Sequence, residues 1–351
     1  MSYRLQRLPS AHPGVAILAR LVAIVLALVV AGIALALTGA DPLALGGQAI
    51  SSTFGSSFGL EDLGLLVTPL IFTGLAVALT QRIGIWNIGA EGQFYLGALF
   101  ATWLGTSIAG APLPLMLVAL FLAGALGGAL WILIPTLARA YADVNELITT
   151  LLLNFVATLL VYYVATGPWR DAKSNMLAST ARIPYEVPEF WGIVHWGFPV
   201  AVLMALGVAA LLAYTRWGYE VRIAGANPQA ARYAGMPVRR RIIVVMLLSG
   251  AIAGVAGMFE VAGTVHRLQG GISNNFGYLG IMVAVLARGS ALAVIPAAAL
   301  MAVILNAGII LQTQGITTST VLAITGLVLF FTAIGDEAAH YRLVRTSAQP
   351  A

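Results

Sequence analysis

Long runs of residues without a single charge constrain this chain more than any other feature. Its 351 residues include only 18 Lys and Arg and 13 Asp and Glu, and 60% are apolar. Soluble domains are about 25% charged, and a single hydrophobic core stops growing beyond about 250–300 residues. The apolar excess therefore argues against a soluble enzyme, a nucleic-acid-binding protein or a disordered chain, and it indicates a membrane protein.

The charge-free runs divide the chain into candidate membrane spans of about 20 residues each. They cover residues 21–40, 63–81, 92–138, 147–169, 190–215, 242–259, 268–287 and 289–335. The two longest runs are interrupted by turn residues near 110–114 and 312–315, so each holds two spans. We predict about ten transmembrane helices, because a helix satisfies its own backbone hydrogen bonds within lipid.

The basic residues predict the orientation of these spans. With a cytoplasmic N-terminus, fourteen of the 18 fall in cytoplasmic segments and four, Arg170, Lys173, Arg182 and Arg267, fall outside. This asymmetry follows the positive-inside rule. We predict one transmembrane domain over 1–351, with cytoplasmic segments 1–20, 216–241 and 336–351. The first apolar run is also compatible with a signal peptide, although its length favours a retained span.

A short internal sequence repeat predicts how the spans are arranged. Residues 94–98 (Phe-Tyr-Leu-Gly-Ala) resemble 276–281 (Phe-Gly-Tyr-Leu-Gly-Ile), and both follow stretches rich in glycine and amides. Two halves of five helices have opposite orientations, because five is odd. The predicted fold class is thus an all-α polytopic membrane protein with two inverted five-helix halves and interrupted helices. Chance similarity between apolar helices is the alternative.

The glycine-rich stretches suggest a solute pathway. Gly84, Gly89 and Gly92 interrupt an apolar pattern, and a helix break within a membrane is tolerated only inside protein or along a cavity. Amides beside aromatic rings suit a neutral, hydroxyl-rich ligand. The alternative is that the glycines allow close packing and Glu91 caps the next helix. The predicted pathway residues are Trp86, Asn87, Glu91, Gln93, Phe94, Asn274, Asn275 and Phe276.

The basic loop 216–241 contains the signals of a short helix. Asn227 is a good N-cap, Pro228 suits the first helical position, and Gly235 and Pro237 end the pattern. These residues predict a helix over 228–234. A helix this short is not stable alone, so the loop is either a capped linker or a docking element for a cytoplasmic partner.

Two segments resemble a known family. Residues 224–235 (Ala-Gly-Ala-Asn-Pro-Gln-Ala-Ala-Arg-Tyr-Ala-Gly) resemble the cytoplasmic loop of permease subunits in bacterial ABC importers for simple sugars and nucleosides, and 84–97 resemble the nucleoside branch. The resemblance covers roughly 64–335. It implies an ABC ATPase partner, a second related permease subunit and an extracytoplasmic substrate-binding lipoprotein. The implied coupling residues are Gly225, Asn227, Ala231, Arg232, Tyr233 and Gly235.

The residue inventory predicts a transport subunit rather than an enzyme. The only lysine, Lys173, follows Ala172, so the chain lacks a phosphate-binding Walker loop, and ATP and Mg²⁺ are expected on the partner ATPase. The absence of cysteine and the isolation of the four histidines argue against a metal site. The predicted function is a conduit for a nucleoside or related sugar-containing solute. The alternative is a stand-alone secondary transporter or channel, coupled to protons through Glu91 or Glu260.

Overall fold

The computed structural model of the chain describes residues 2–7, 13–37, 39–174, 178–338 and 341–346. Parts of the predicted N-terminal segment (8–12) and of the predicted tail (347–351) lie outside the described residues. The helices are α1 Pro13–Leu37, α2 Pro42–Phe54, α3 Ser57–Gln81, α4 Ala90–Ser107, α5 Leu113–Ala142, α6 Glu146–Thr166, α7 Gly197–Tyr214, α8 Arg216–Ala226, α9 Pro228–Tyr233, α10 Val238–Phe259, α11 Phe276–Leu286, α12 Val294–Thr313 and α13 Thr318–Ala338. The strands are β1 Ser2–Arg7, β2 Glu189–Trp191, β3 Val194–His195 and β4 Tyr341–Thr346.

The chain is an α-helical, multi-pass membrane protein. Among the described residues, six helices are long and apolar enough to span a membrane, and the bent pair Val22–Leu37 and Pro42–Phe54 brings the number to seven. The predicted breaks near 110–114 and 312–315 are confirmed, because α5 begins at Leu113 and α12 ends at Thr313. The predicted number of about ten is not reached by this criterion.

Two predicted spans differ from the observed elements. The run 190–215 begins with the antiparallel hairpin β2–β3, and its helix starts only at Gly197. The run 268–287 contains only the short helix α11, because a loop occupies its first eight residues. Freedom from charge identifies lipid-compatible sequence, but it does not distinguish a helix from a buried loop whose hydrogen bonds are made by protein.

The described chain falls into two compact units. One unit combines 1–56 with 304–351, and the other is 57–303. In the first, α1 packs against α13 around Ala31, Leu35 and Ile324. The strands β1 and β4 pair antiparallel in the same unit, from Ser2 opposite Thr346 to Arg7 opposite Tyr341. The pattern of charge-free runs did not predict this ribbon.

The second unit is organised around backbone contacts between α4, α5 and α10. Gly254 of α10 lies directly against the backbone of α4 at Gly97 and of α5 at Gly124. A side chain at Gly97 or Gly254 would collide with a backbone carbonyl oxygen, so only glycine allows the helices this approach. The small residues near 250–257, a pattern visible in the sequence, therefore form a helix-packing face.

Candidate functional site

The first interruption, residues 82–89 between α3 and α4, is held together by buried amide side chains. Asn87 is fully buried, and its Nδ2 donates to Gln93 Oε1 (2.9 Å) and Ser249 Oγ (2.8 Å). Its Oδ1 accepts from Gly89 N and Gln93 Nε2, both at 2.9 Å. Asn87 thus replaces helical hydrogen bonds that the break removes, and Gln93 is committed to the same network.

Asn154, in the middle of α6, supports this first break from a second side. Its Nδ2 donates to the carbonyl oxygen of Ile88 at 2.8 Å, and its Oδ1 accepts from Gly92 N at 2.9 Å. Asn154 is fully buried. The sequence analysis did not select it, although a polar residue inside an apolar span is expected to face protein and carry a role.

The second interruption, residues 260–275 between α10 and α11, is built mainly from backbone. A π-helical turn, Glu260–Thr264, ends α10, and His266, Asn274 and Asn275 then adopt positive φ angles of 60°, 46° and 65°. Asparagine tolerates this left-handed region better than most residues. Asn274 and Asn275 are exposed, so their side chains do not staple the loop as Asn87 staples the first break.

A separate segment, residues 178–187, runs along this second break and bonds to its backbone. The N–H groups of Thr180, Ile183 and Val187 donate to the carbonyl oxygens of Leu268 (2.9 Å), His266 (2.8 Å) and Ala262 (2.9 Å). Residues 178–187, which belong to the loop predicted to be extracytoplasmic, therefore cover the second break, and this segment is called the strap below.

The two interruptions meet where α4 and α11 begin. The carboxylate of Glu91, in the first turn of α4, accepts a hydrogen bond from Gly277 N at 2.8 Å. Glu91 is almost fully buried, and the rings of Phe94 and Phe276 lie 6.3 Å apart between centroids. Helix N-termini favour negative charge, so one carboxylate serves the N-terminal ends of both helices. In addition, α3 packs against α11 and α10 packs against α4.

His195 occupies a buried position between the hairpin β2–β3 and the second break. Its ring stacks on Phe259, which in turn stacks on Phe72, with centroid distances of 5.8 Å and 5.4 Å. Nδ1 accepts from Gly197 N at 3.0 Å, so Nε2 carries the proton toward Thr264 Oγ1 at 3.3 Å. Burial lowers the pKa of His195 to about 4, and the nearby His266 adds to this shift. The imidazole is neutral near pH 7.

The basic loop folds as two short helices and rests on the first break. Thr215 caps α8, and the side chain of Asn227 caps α9 by accepting from Ala230 N at 3.0 Å. Gly235 follows with φ +75°, the left-handed conformation expected of it. At Gly225 in α8, an added Cβ would collide with the carbonyl oxygen of Arg82.

The structure separates the predicted coupling residues into two groups. Ala231 is buried and Gly225 contacts the break, whereas Asn227, Arg232, Tyr233 and Gly235 are exposed. Tyr233 is 94% exposed and has its whole ring available on the loop surface.

The predicted pathway residues differ in burial. Asn87, Glu91, Gln93, Phe94 and Phe276 are buried and packed together. Trp86 is partly exposed and lines a separate small cavity of about 250 Å³ with Gln81, Gly84, Val285 and Arg288. Within the described residues, no group of three or more His, Asp or Glu side chains is arranged to hold a metal ion.

Comparison with known proteins gives a consistent result. Residues 59–333 match the family model described as branched-chain amino acid transport system / permease component. The chain is 37% identical to the glucose ABC transporter permease protein TsgB13 of Haloferax volcanii, over 90% of this chain and 87% of that protein. It is 35% identical to the guanosine ABC transporter permease protein NupP of Bacillus subtilis, over 81% and 83%. The nucleoside permease protein NupB of Lactococcus lactis is 26% identical over 91% of both chains.

Proposed function

Because the chain belongs to the family of branched-chain amino acid transport system permease components, we propose that it is the transmembrane subunit of an ABC importer for a nucleoside or a related sugar-containing solute. The similar permeases named for guanosine, nucleosides and glucose support this substrate class. All these solutes carry a hydroxylated sugar ring. The chain itself is a conduit, and ATP hydrolysis with its Mg²⁺ takes place on a separate subunit.

The observation that carries this proposal is the contact between the loop 216–241 and the first break. Gly225 of α8 packs on the backbone of Arg82, and Arg82 Nε donates to the carbonyl oxygen of Gly289 at 2.6 Å, just beyond α11. A displacement of the loop would therefore be transmitted to the first break and to the end of α11 through direct contacts, without an intervening flexible segment. A cytoplasmic ATPase that grips Arg232 and Tyr233 would use this route.

The meeting point of the two breaks supports an inverted arrangement of the halves. Each long helix, α3 or α10, packs against the short helix that follows the other break, which is the exchange that a pseudo-two-fold axis produces. In this arrangement α4, α11 and α13 complete the ten crossings. The fourteen basic residues then lie inside and both termini are cytoplasmic in the inner membrane.

The pathway residues have two roles in the proposal. Trp86, Asn274 and Asn275 are the exposed members, and they contact the solute at the two ends of the route. Phe94 and Phe276 form the closed point between these ends, while Asn87, Glu91 and Gln93 hold the broken helices in position. Opening therefore separates the two rings while the amide network keeps the first break intact.

The proposed partners are an ABC ATPase, a second related permease and an extracytoplasmic substrate-binding lipoprotein. Two guanosine permease proteins of Bacillus subtilis, NupP and NupQ, are both similar to this chain, which supports a heterodimer of related permeases. The binding lipoprotein would deliver the solute to the side that carries the strap 178–187 and the hairpin β2–β3.

The test compares Gly225→Ala with Gly207→Ala in the assembled transporter. Gly225→Ala forces the methyl group against Arg82, whereas the same change at Gly207 in α7 meets no atom within 4 Å. We expect uptake to fall about tenfold or more for Gly225→Ala, because relieving the overlap displaces the loop from the break, and to stay unchanged for Gly207→Ala.

Two further variants test the ATPase docking. Gly235→Val, which resists φ +75°, and Arg232→Glu should weaken ATPase association and stop uptake. Full ATPase stimulation in both would contradict docking at this loop. Uptake into liposomes under a proton gradient, without any ATPase, would instead establish the secondary transporter.

A further inference from the structure

A large cavity with a strongly basic lining lies at the end of the structure where the loop 216–241 sits. Its volume is about 850 Å³, and it is enclosed by the end of α5, the break at Ile83–Ile85, α9 and the start of α10. Its charged lining residues are Arg139, Arg232, Arg239, Arg240 and Asp143. Four positive charges and one negative charge give a net charge of +3, which favours an anionic occupant.

Three of these arginines retain their charge for a ligand. Arg139 is paired with Asp143 (3.2 Å) and Glu146 (3.3 Å). Among the described residues, no carboxylate pairs with Arg232, Arg239 or Arg240. The guanidinium of Arg239 lies 5.4 Å from the ring centroid of Tyr141, a contact that orients the arginine without neutralising it.

The cavity continues into an apolar stripe along α5. Leu130, Ile134, Leu137 and Tyr141 recur at helical spacing and are all exposed in the described chain, and Tyr141 also lines the cavity. On the cavity side, Ile242 and Ile243 add apolar surface from the first turns of α10. An occupant that fills both parts has an anionic head and an aliphatic tail.

We propose that this cavity binds the headgroup of an anionic phospholipid from the cytoplasmic leaflet, with one acyl chain lying along the stripe on α5. Basic pockets at the cytoplasmic ends of transmembrane helices suit such headgroups. A soluble acidic partner or free phosphate would satisfy the arginines but would leave the stripe without a role. Because Arg232 belongs to the proposed coupling loop, the bound lipid would tie that loop to α5 and α10. The inference uses the cytoplasmic orientation given under Proposed function.

The test titrates phosphatidylglycerol onto the full-length chain, copurified with its transporter subunits, and follows the first bound lipid by native mass spectrometry. We expect Arg239→Gln combined with Arg240→Gln to weaken that affinity about tenfold or more, since two basic contacts are lost. The matched control is Arg216→Gln with Arg222→Gln, which removes the same charge from exposed residues of the same loop outside the cavity. The control should change affinity less than about twofold.

Two additional arms exclude trivial explanations. Replacing Arg239 and Arg240 by lysine keeps the charge and should retain most of the affinity, which separates loss of binding from loss of folding. Phosphatidylcholine should show no dependence on these arginines. Inorganic phosphate and tail-free glycerophosphoglycerol should compete poorly, because neither uses the stripe on α5.

Several results would overturn the proposal. Equal phosphatidylglycerol affinity in the glutamine pair and the wild type, or an equal loss in the control pair, would show that the cavity does not bind the headgroup. Competition by inorganic phosphate as strong as that by the lipid would identify a free-phosphate site, and displacement of the lipid by ATPase binding would assign the arginines to that protein. Lipid binding without ATP-dependent uptake would refute only the proposed function, and uptake without specific lipid binding would refute only this inference.

Discussion

The two helix interruptions perform the same topological task with different chemistry. The first break, at 82–89, is held by buried side chains: Asn87 bonds to Gln93 and Ser249, and Asn154 bonds to backbone atoms at the break, all at 2.8–2.9 Å. The second break, at 260–275, is held by backbone, through a π-helical turn, positive φ angles and bonds to the strap 178–187. The first interruption is thus stabilised by side-chain hydrogen bonds and the second mainly by backbone hydrogen bonds.

Each break also contacts a different loop. The first break is in direct contact with α8 of the basic loop. The second break is covered by the strap 178–187 and contacts His195 of the hairpin β2–β3. This division suits an importer whose energy arrives on one side and whose solute arrives on the other. Glu91, in the first turn of α4, bonds to Gly277 at the start of α11, so it links the two helices that follow the breaks.

Replacing an asparagine at each break tests most strongly whether side chains hold the first break and backbone holds the second. Asn87→Ala leaves the Gly89 N–H and both ends of the Gln93 amide without their partner, and we expect a loss of about 3–5 kcal/mol in the free energy of unfolding. Asn274→Ala, at the exposed position of the second break, should cost about 1 kcal/mol, because only the left-handed backbone is affected. Thermal unfolding in detergent measures both.

This expectation differs from the prediction from sequence, which placed Asn87 in the solute pathway. Equal melting temperatures for Asn87→Ala and the wild type, with uptake lost, would restore the pathway role. A large loss of stability in Asn274→Ala would show that the second break is also held by side chains.

Lowering the pH should reduce the stability of the region around His195, where the hairpin β2–β3 meets the second break. The folded pKa of His195, about 4, lies below its unfolded value of 6.5, so the unfolded state binds the proton more readily between these values. Stability is therefore full above about pH 6.5 and is lost as the pH falls toward 4, by about 2–4 kcal/mol if no other group compensates. Protonated Nδ1 can no longer accept from Gly197 N.

The control for this acid response is His195→Asn, whose side-chain oxygen can still accept from residue 197 but does not titrate. Thermal unfolding from pH 7 to pH 4 should show a clearly smaller slope in this variant. An identical slope would assign the acid sensitivity to other groups and would remove His195 from the comparison.

The smallest effect is expected where the two breaks meet. Glu91→Gln keeps an oxygen that accepts from Gly277 N, so it should cost about 1 kcal/mol or less, whereas Glu91→Ala should cost about 1–3 kcal/mol. Uptake of Glu91→Gln against pH also separates the two transport mechanisms. An ATP-driven conduit keeps the shape of its pH profile with a changed rate, and a proton carrier that uses Glu91 loses its pH dependence.

The sequence by itself determined the features that depend on local chemistry. Charge-free runs identified the membrane segments, small residues near 250–257 marked a packing face, and Asn227, Pro228 and Gly235 defined a short capped helix, which ends at Tyr233, one residue before the predicted end. Caps, breaks and charge-free runs are visible in sequence because their causes lie within a few residues of one another.

Only the tertiary structure decided what the polar residues at the breaks face. Asn87 forms a hydrogen bond with Ser249, 162 positions away, and Glu91 forms one with Gly277, 186 positions away. Asn154, which was not among the predicted site residues, bonds to the first break. An amide in a glycine-rich stretch has the same local sequence whether it faces a solute or a buried partner. Which of these it faces depends on which distant helix packs against it, and burial among protein groups rather than residue type then sets its role.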